Sequence, residues 1–339
     1  MKVLLIGPFP PPHGGISVHV SGIHRQLLAA GEECGILDTS RIRPGVRFAG
    51  SLMRRVCAGW TLHLHTNGHN LRSWLVALFC AVTGRVSGGC ILTLHSGMAP
   101  AYLNDCGPAR GTLASIACRL SKRVICASAA IREAVLQLGV TADRAEVMPA
   151  FVGTPGLKVA LNPSLLHWMR DHRPVLSTVL FFRPEYGFDL LVDALGRLRA
   201  SYPTMGCLVM GSGEDRSVAE KLVRNAGLED CIRMPGDLDH ETCLSLISAS
   251  DVFVRPTRED GDSISVREAI SLGVPTVASS VGTRPAGTLM FPRGDVEAMA
   301  ARIEQALTTQ HGTQERFADC VDRLMEIYRE STFCLTETR

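Results

Sequence analysis

Short apolar runs bounded by Gly, Pro or Asn alternate with segments of helical period along the whole chain, and no other feature narrows the fold as much. A parallel sheet with crossover helices is the architecture that produces such alternation. Ten runs read as strands: Val3–Ile6, Thr61–His65, Cys90–Leu94, Arg123–Ala127, Glu146–Met148, Val179–Phe182, Cys207–Met210, Ile232–Met234, Val252–Val254 and Thr276–Ala278. They fall into two sets separated by the stretch between Pro149 and Pro174. Gly153, Pro155, Gly156 and Pro163 interrupt the pattern there, and Asn162 is placed to cap a short helix reaching His167. With 339 residues, about twice a usual domain length, the chain is expected to form two doubly wound α/β domains. The expected boundaries are 1–156 and 157–312, with a helix and tail over 313–339 in which Gln314–Arg329 is amphipathic and packs back. Doubly wound sheets bind ligands at the carboxyl ends of their strands, so a ligand cleft with a closing hinge over 150–174 is predicted.

Hydrophobic residues are 46% of the chain and charged residues 20%, which excludes a disordered chain. The 12 cysteines are scattered singly with no Cys-x-x-Cys pair, and most have apolar neighbours, as in VICAS and ALFCAV. They read as reduced, buried small hydrophobes of a reducing compartment. The opening MKVLLIGPFPPP has too short an apolar core for a signal peptide and reads as a buried strand, so the chain is expected not to be exported. The most apolar stretch, Trp74 to Gly84, is about half the length that spans a bilayer and reads as a core helix.

Charge is unevenly spread. Residues 1–150 carry 15 Lys/Arg against 7 Asp/Glu, whereas residues 151–339 carry 20 against 26. No acidic residue lies between Thr39 and Pro100, where Arg41, Arg43, Arg47, Arg54, Arg55, Arg72 and Arg85 fall. A surface of one sign attracts anionic lipid headgroups or a phosphorylated substrate; a solvated basic face is the plainer alternative. Nucleic acid is not expected as a partner, because only Phe48 and Trp60 interleave with the arginines.

Two segments carry chemistry. In GPFPPPHGGISVHVSGIHRQL, Gly14 and Gly15 precede a helix with apolar Ile16, Val20, Ile23 and Leu27. Glycines let amides approach a ligand and the helix N-terminus favours anions, although an ordinary βα turn looks the same. G-x-G-x-x-G is absent, which disfavours a nicotinamide-binding domain. In residues 255–282, Ser263 or Ser265 is placed to cap a helix that ends at Leu272 before Gly273. The amides of Ser263, Ile264 and Ser265 would then face a diphosphate. Asp260 before the helix and Glu268 within it are carboxylates able to accept sugar hydroxyls. Ser265-x-x-Glu268 also reads as a capping box, which is the purely structural alternative.

Residues 255–282 resemble the acidic-x7-acidic segment of the retaining nucleotide-sugar glycosyltransferases of GT-B fold, known as group 1 or family four. The likeness extends through GPFPPPHGGISVHV, LTLHSG, VICASAAIRE, GFDLLVDAL and LVMGSGED. It implies that Glu268 binds ribose hydroxyls and Asp260 the transferred sugar. It also implies that the amides of Ser263, Ile264, Ser265 and Gly15 hold the diphosphate. Gly213 would line the nucleotide pocket, Arg183 would contact the donor phosphate, and His95 would sit beside the reacting carbon. A core histidine at a strand end is the alternative for His95.

Departures mark a divergent branch. Asp260 stands where most relatives have Glu, VGTRPAGTLMFPRGD lacks an acidic residue after its glycine, and Tyr186 precedes Gly187 where a lysine is usual. Arg255, Arg258 or Arg284 would replace that lysine's charge. No metal is expected: Asp260-Gly261-Asp262 resembles a manganese-binding Asp-x-Asp, but the helix behind it already supplies positive potential. His63, His65 and His69 would make a zinc site only without carboxylate or cysteine partners, so strand-end or core roles are favoured. The resemblance implies a retaining transfer from a UDP- or GDP-linked sugar onto a glycan or polyprenyl-pyrophosphate-linked acceptor, in polysaccharide or lipopolysaccharide assembly at the inner face of the cytoplasmic membrane. A catalytically silent GT-B binding subunit is the alternative, motivated by Tyr186. A nicotinamide oxidoreductase lacks its glycine fingerprint.

Overall fold

The computed structural model describes residues 1–11, 13–42, 45–153, 161–308 and 320–333. Arg43, Pro155, Gly156, the expected boundaries at 156/157 and 312/313 and the start of the expected C-terminal helix at Gln314 lie outside them. The chain divides into two compact units. One comprises Met1–Val152, Asp260–Asp262 and Ala318–Arg339; the other comprises Gly153–Glu259 and Ser263–Phe317.

In the first unit the strands are β1 (Lys2–Gly7), β2 (Glu33–Asp38), β3 (Thr61–Thr66), β4 (Cys90–Leu94), β5 (Arg123–Cys126) and β6 (Ala145–Val147). Its helices are α1 (Gly15–Ala29), α2 (Val46–Cys57), α3 (Leu71–Gly84), α4 (Ala99–Asp105), α5 (Pro108–Leu120) and α6 (Ala129–Gln137). The sheet is parallel with order β2-β1-β3-β4-β5-β6. Alternation along each strand sorts side chains between two cores. Leu4, Ile6, Leu62, Leu64, Leu92 and Leu94 pack with Phe48, Leu52, Trp74 and Ala117 from α2, α3 and α5. Val3, Leu5, Ile91 and Ile125 face the other way, against Val20, Ile23 and Leu27 of α1.

In the second unit come α7 (Pro163–Asp171), β7 (Val175–Val179), α8 (Phe188–Leu198), β8 (Gly206–Met210), α9 (Arg216–Asn225), β9 (Ile232–Gly236) and α10 (His240–Ser248). They are followed by β10 (Val252–Arg255), α11 (Ile264–Ser271), β11 (Thr276–Ser279), β12 (Thr288–Phe291) and α12 (Val296–Thr308). The parallel order β12-β11-β10-β7-β8-β9 is that of a dinucleotide-fold sheet, reversing direction between β7 and β10. The second cross-sheet partition repeats here: Leu176, Val209 and Val254 pack with α8 and α12 residues, and Leu208, Phe253 and Ala278 with α7, α10 and α11 residues.

Three strand expectations need correction. β2 and β12 were not anticipated, and both are edge strands whose side chains are mostly half-buried, so neither shows a continuous apolar run. β7 occupies Val175–Val179 rather than Val179–Phe182, because buried Ser177 and Thr178 interrupt an apolar stretch that continues beyond the strand. The apolar stretch ending at Gly84 is the buried-faced helix α3, and among the described residues no helix is long and apolar enough to cross a membrane.

The last helix, α13 (Cys320–Phe333), returns to the first unit, where Leu324, Ile327 and Tyr328 join the core formed by α1 and the sheet. The Cys320 thiol donates to the Phe151 carbonyl at 2.8 Å, and Arg323 makes a two-pronged contact with Glu146. Tyr328 is fully buried, with its hydroxyl 2.5 Å from His63 Nδ1. The eleven cysteines of the described residues are all free, and burial pushes the thiols of Cys34, Cys90 and Cys243 up to about 12. Replacing Tyr328 with Phe keeps the ring but orphans a buried imidazole nitrogen; a stability loss of about 1–3 kcal/mol is expected from urea unfolding of Tyr328→Phe against wild type.

Candidate functional site

Each unit brings one group of the singled-out residues together. In the second, β7 and β10 flank the point where strand order reverses, and the segments following them converge. A Cβ at Gly187 would lie 2.1 Å from the Pro256 carbonyl oxygen, and one at Gly213 would lie 2.7 Å from the Phe182 amide nitrogen. Only glycine permits either approach, so the 181–187, 211–213 and 256–259 segments are held against one another.

Helix α11 leaves this point with Ser263 as its N-cap, but no side chain caps it. Ser263 Oγ lies 3.2 Å from Ser265 Oγ, and both residues are buried. The amides of Ser263, Ile264 and Ser265 therefore keep their donors at the positive end of the helix. Gly273, with φ +76°, ends the helix as the sequence implied. The capping-box alternative for Glu268 is not formed. Glu268 is only 5% exposed, and its Oε1 lies 2.5 Å from Nε2 of His240, the first residue of α10. Its Oε2 has no partner among the described residues.

The arginines differ in what they have left to offer. Arg183 is exposed, has its guanidinium 5.9 Å from the Phe181 ring centroid, and pairs with no carboxylate among the described residues. Arg255 is buried, donates to the Val179 carbonyl at 2.6 Å and lies over the Tyr186 ring at 5.1 Å. Tyr186 thus serves as a face for a guanidinium. Arg284 donates to the Ser279 carbonyl at 2.9 Å and to Thr257 Oγ1 at 3.2 Å. Arg258 grips Asp189 with two hydrogen bonds of 2.7 and 2.6 Å and holds that carboxyl below its usual range. Its charge is already matched, so it is a poor substitute for the missing lysine.

In the first unit the alternation of β3 sends Leu62 and Leu64 to one face and His63 and His65 to the other. His63 is saturated: Nε2 lies 2.7 Å from Thr93 Oγ1 and Nδ1 is held by Tyr328. His65 Nδ1 lies 3.2 Å from Nε2 of His95, just beyond β4. His19 of α1 completes the group, with ring centroids 5.5 Å from His65 and 5.4 Å from His95. His69 turns instead to Ser96 Oγ at 2.9 Å, so His63, His65 and His69 do not form the set considered for zinc.

Among the described residues, His19, His65 and His95 are the cluster able to hold a metal, with one ring nitrogen from each within 4.8 Å of the others. His19 Nδ1 and His65 Nε2 are buried without a partner. Among the described residues no carboxylate or thiolate joins the cluster, so its ligands to a cation would be three neutral imidazoles. Sequence reading missed His19, whose only signal was its place on the buried face of the helix after Gly14-Gly15.

Gly15 is the first residue of α1, and a Cβ there would meet nothing within 4 Å. Ser17 Oγ accepts from the Gly14 amide at 2.9 Å. Asp260 is grouped with the first unit and not with Glu268. A Cβ at Gly97 would lie 2.0 Å from the Asp260 carbonyl oxygen, and one at Gly261 2.2 Å from the His95 carbonyl oxygen, so the His95 and Asp260 loops meet backbone to backbone. Asp262 Oδ2 accepts from the Ala150 amide at 2.9 Å, which occupies half of the would-be metal-binding pair.

Burial lowers His19 to about 4 and His63 to about 3, with nearby His19 depressing His63 further; His65 and His95 are lowered for the same reason. The cluster is therefore neutral near pH 7. Below pH 6.5 the unfolded chain takes up protons that the folded state refuses, so stability falls with pH through the window from 6.5 to about 4 for His19 and about 3 for His63. Each such histidine contributes a slope of about 1.4 kcal/mol per pH unit. Urea midpoints measured at intervals from pH 7 to pH 5 should show this fall, and His19→Gln should make it shallower.

Residues 169–320, a little under half of the chain, match the sequence family described as glycosyl transferases group 1. The chain is 26% identical over 301 residues to the 2-deoxystreptamine N-acetyl-D-glucosaminyltransferase of Streptomyces fradiae, covering 83% of this chain and 70% of that protein. It is also 26% identical over 311 residues to the phosphatidyl-myo-inositol mannosyltransferase of Propionibacterium freudenreichii, covering 83% and 77%. Among solved structures, Anabaena HepE in complex with UDP-glucose superposes with a TM-score of 0.69 at 15% identity, covering 99% of this chain and all of that one. Sucrose-phosphate synthase from Thermosynechococcus elongatus gives 0.69 at 20% identity, covering 99% and 98%. Residues 169–320 are thus similar in sequence to the group 1 glycosyl transferases, and the fold is that of the GT-B structures.

Proposed function

We propose that this protein transfers a sugar, with retention, from a nucleoside-diphosphate sugar to a glycan or lipid-linked acceptor of a cell-surface polysaccharide or lipopolysaccharide pathway. The observation that carries the reading is helix α11. Its N-terminal amides are uncapped, and Glu268, one turn further on, is a buried carboxylate with one oxygen unpartnered. Amides suit a diphosphate and a carboxylate suits vicinal hydroxyls, so one helix matches both halves of a nucleoside diphosphate. HepE was solved with UDP-glucose, which makes UDP the first base to test; GDP is the second.

Breaking the bond from the anomeric carbon to phosphate places negative charge on the departing diphosphate, and stabilising that charge is the main task of such a site. Arg183, Arg255 and Arg284, together with the amides of Ser263 to Ser265, are assigned to it; Tyr186 contributes by seating Arg255. Gly213 borders the nucleotide and Gly15 offers an amide to the diphosphate. His95, neutral and with Nε2 engaged by His65, is assigned to a hydroxyl beside the reacting carbon, and Asp260 to the transferred sugar. Retention then follows from attack on the face that the diphosphate leaves, with the leaving phosphate taking the acceptor's proton. No metal is required in this scheme.

The acceptor side is assigned to the first unit, which also offers a membrane-facing surface. On α2, α3 and the turn after it, exposed Val46, Met53, Leu75, Val82 and Val86 stand among exposed Arg47, Arg54, Arg72 and Arg85 with no acidic residue in the segment. Apolar side chains interspersed with arginines fit an anionic bilayer at the inner face of the cytoplasmic membrane. A catalytically silent subunit is the second reading, favoured by Tyr186 in the place of a lysine; it binds donor and releases no nucleoside diphosphate when acceptor is supplied.

Thermal melting with UDP, GDP, ADP, their sugar conjugates and NAD is the direct test. One nucleotide family is expected to raise the melting temperature, a ligand at a hundred times its Kd adding about 2.7 kcal/mol. Glu268→Ala should abolish the shift and EDTA should leave it unchanged; stabilisation by NAD alone would overturn the reading. For the membrane surface, co-sedimentation should occur with phosphatidylglycerol vesicles and not with phosphatidylcholine vesicles. Arg47→Glu with Arg54→Glu should reduce it several-fold.

A further inference from the structure

The pairing of Glu268 with His240 is a contact of α11 that sequence motifs do not explain. The residues are 28 positions apart on different helices of the same unit, and they meet through a single hydrogen bond of 2.5 Å between His240 Nε2 and Glu268 Oε1. The His240 side chain is 19% exposed and that of Glu268 is 7% exposed. A carboxylate so buried needs partners, and a free one would rotate about its last torsion to find them. His240 supplies one partner and fixes that rotation, which leaves Oε2 as the oxygen with nothing bound to it.

The imidazole is itself held in place. His240 opens α10, where the Asp239 side chain caps the helix by accepting from the Thr242 amide at 2.9 Å. Its backbone therefore starts from a capped, defined turn, and its ring projects from there to α11. A carboxylate with one oxygen tied and the other fixed in direction is a sharper acceptor than one free to turn, because the orientational entropy is lost before the ligand arrives.

We propose that His240 is a positioning residue for nucleotide recognition: by holding Oε1 of Glu268, it aims Oε2 at a ribose hydroxyl and makes this site select ribonucleoside over 2′-deoxyribonucleoside diphosphates. The inference rests on the reading of Glu268 as the ribose-binding carboxylate and goes beyond it, since that reading alone assigns no work to His240. A side chain that only filled space next to Glu268 would weaken both classes of nucleotide alike.

The experiment is a titration calorimetry matrix on the full chain, with UDP, GDP and their 2′-deoxy counterparts against wild type, His240→Ala, His240→Gln and Glu268→Gln. Wild type is expected to prefer the ribonucleotide by ~10-fold or more, the size of one hydrogen bond to a charged group. His240→Ala should weaken the ribonucleotide by about the same factor and leave the 2′-deoxy form nearly unchanged, so that the preference collapses. His240→Gln, whose amide still donates, should restore part of it. Equal weakening of both nucleotides by His240→Ala, or an unchanged preference in that variant, overturns the inference. If Glu268→Gln itself keeps the full ribose preference, the assignment of Glu268 fails, and the proposal for His240 with it.

Discussion

A parallel sheet has two apolar faces and no means of leaving either to water, and that requirement organises this chain. In the first unit α2, α3 and α5 cover one face, but α1 alone does not cover the other: Ile91 and Ile125 on β4 and β5 point away from the helices that follow them in sequence. The cover comes from α13, more than 180 residues later, whose Leu324, Ile327 and Tyr328 enter the same core. The chain must therefore return to the unit in which it began.

The same constraint accounts for the histidines. Strand β3 alternates Leu and His, so the face under α1 and α13 receives two imidazoles, the first of them flanked by Leu5 of β1 and Ile91 of β4. Burying them without a hydrogen-bond partner would be costly, and His63 is answered at both nitrogens, by Thr93 of the adjacent strand and by Tyr328 of the closing helix. Closure of the core by α13 is thereby made specific as well as apolar. His65, one alternation further on, shares a hydrogen bond with His95 at the end of the next strand. A buried structural network thus reaches the carboxyl end of the sheet, where ligands bind in this kind of fold.

The second unit solves a different problem with the same architecture. Strand-order reversal between β7 and β10 opens space at the end of the sheet, and glycines at 187 and 213 let the surrounding segments close around it. The positive end of α11 and the guanidinium of Arg183, which pairs with no carboxylate among the described residues, favour negative charge there, while Arg258 is neutralised by Asp189 and holds the loop together.

What the sequence by itself determined is the part governed by local periodicity. Most interior strands are apolar runs, so their existence and two-set division were legible, as were the glycine stop after Leu272 and the helical nature of the Trp74–Gly84 stretch; β7 was displaced because Ser177 and Thr178 break its run. The edge strands β2 and β12 were not legible, because half-exposed strands need no apolar run. What the tertiary structure alone decided is which distant groups meet. It joined His19 to His65 and His95, gave Glu268 to His240 instead of to a capping box, spent Arg258 on Asp189, and grouped Asp260 with the first unit. Each of these depends on a contact between elements far apart in the chain. Spacing along a sequence sets the face a side chain occupies on its own helix or strand, whereas its partner is set by how those elements pack.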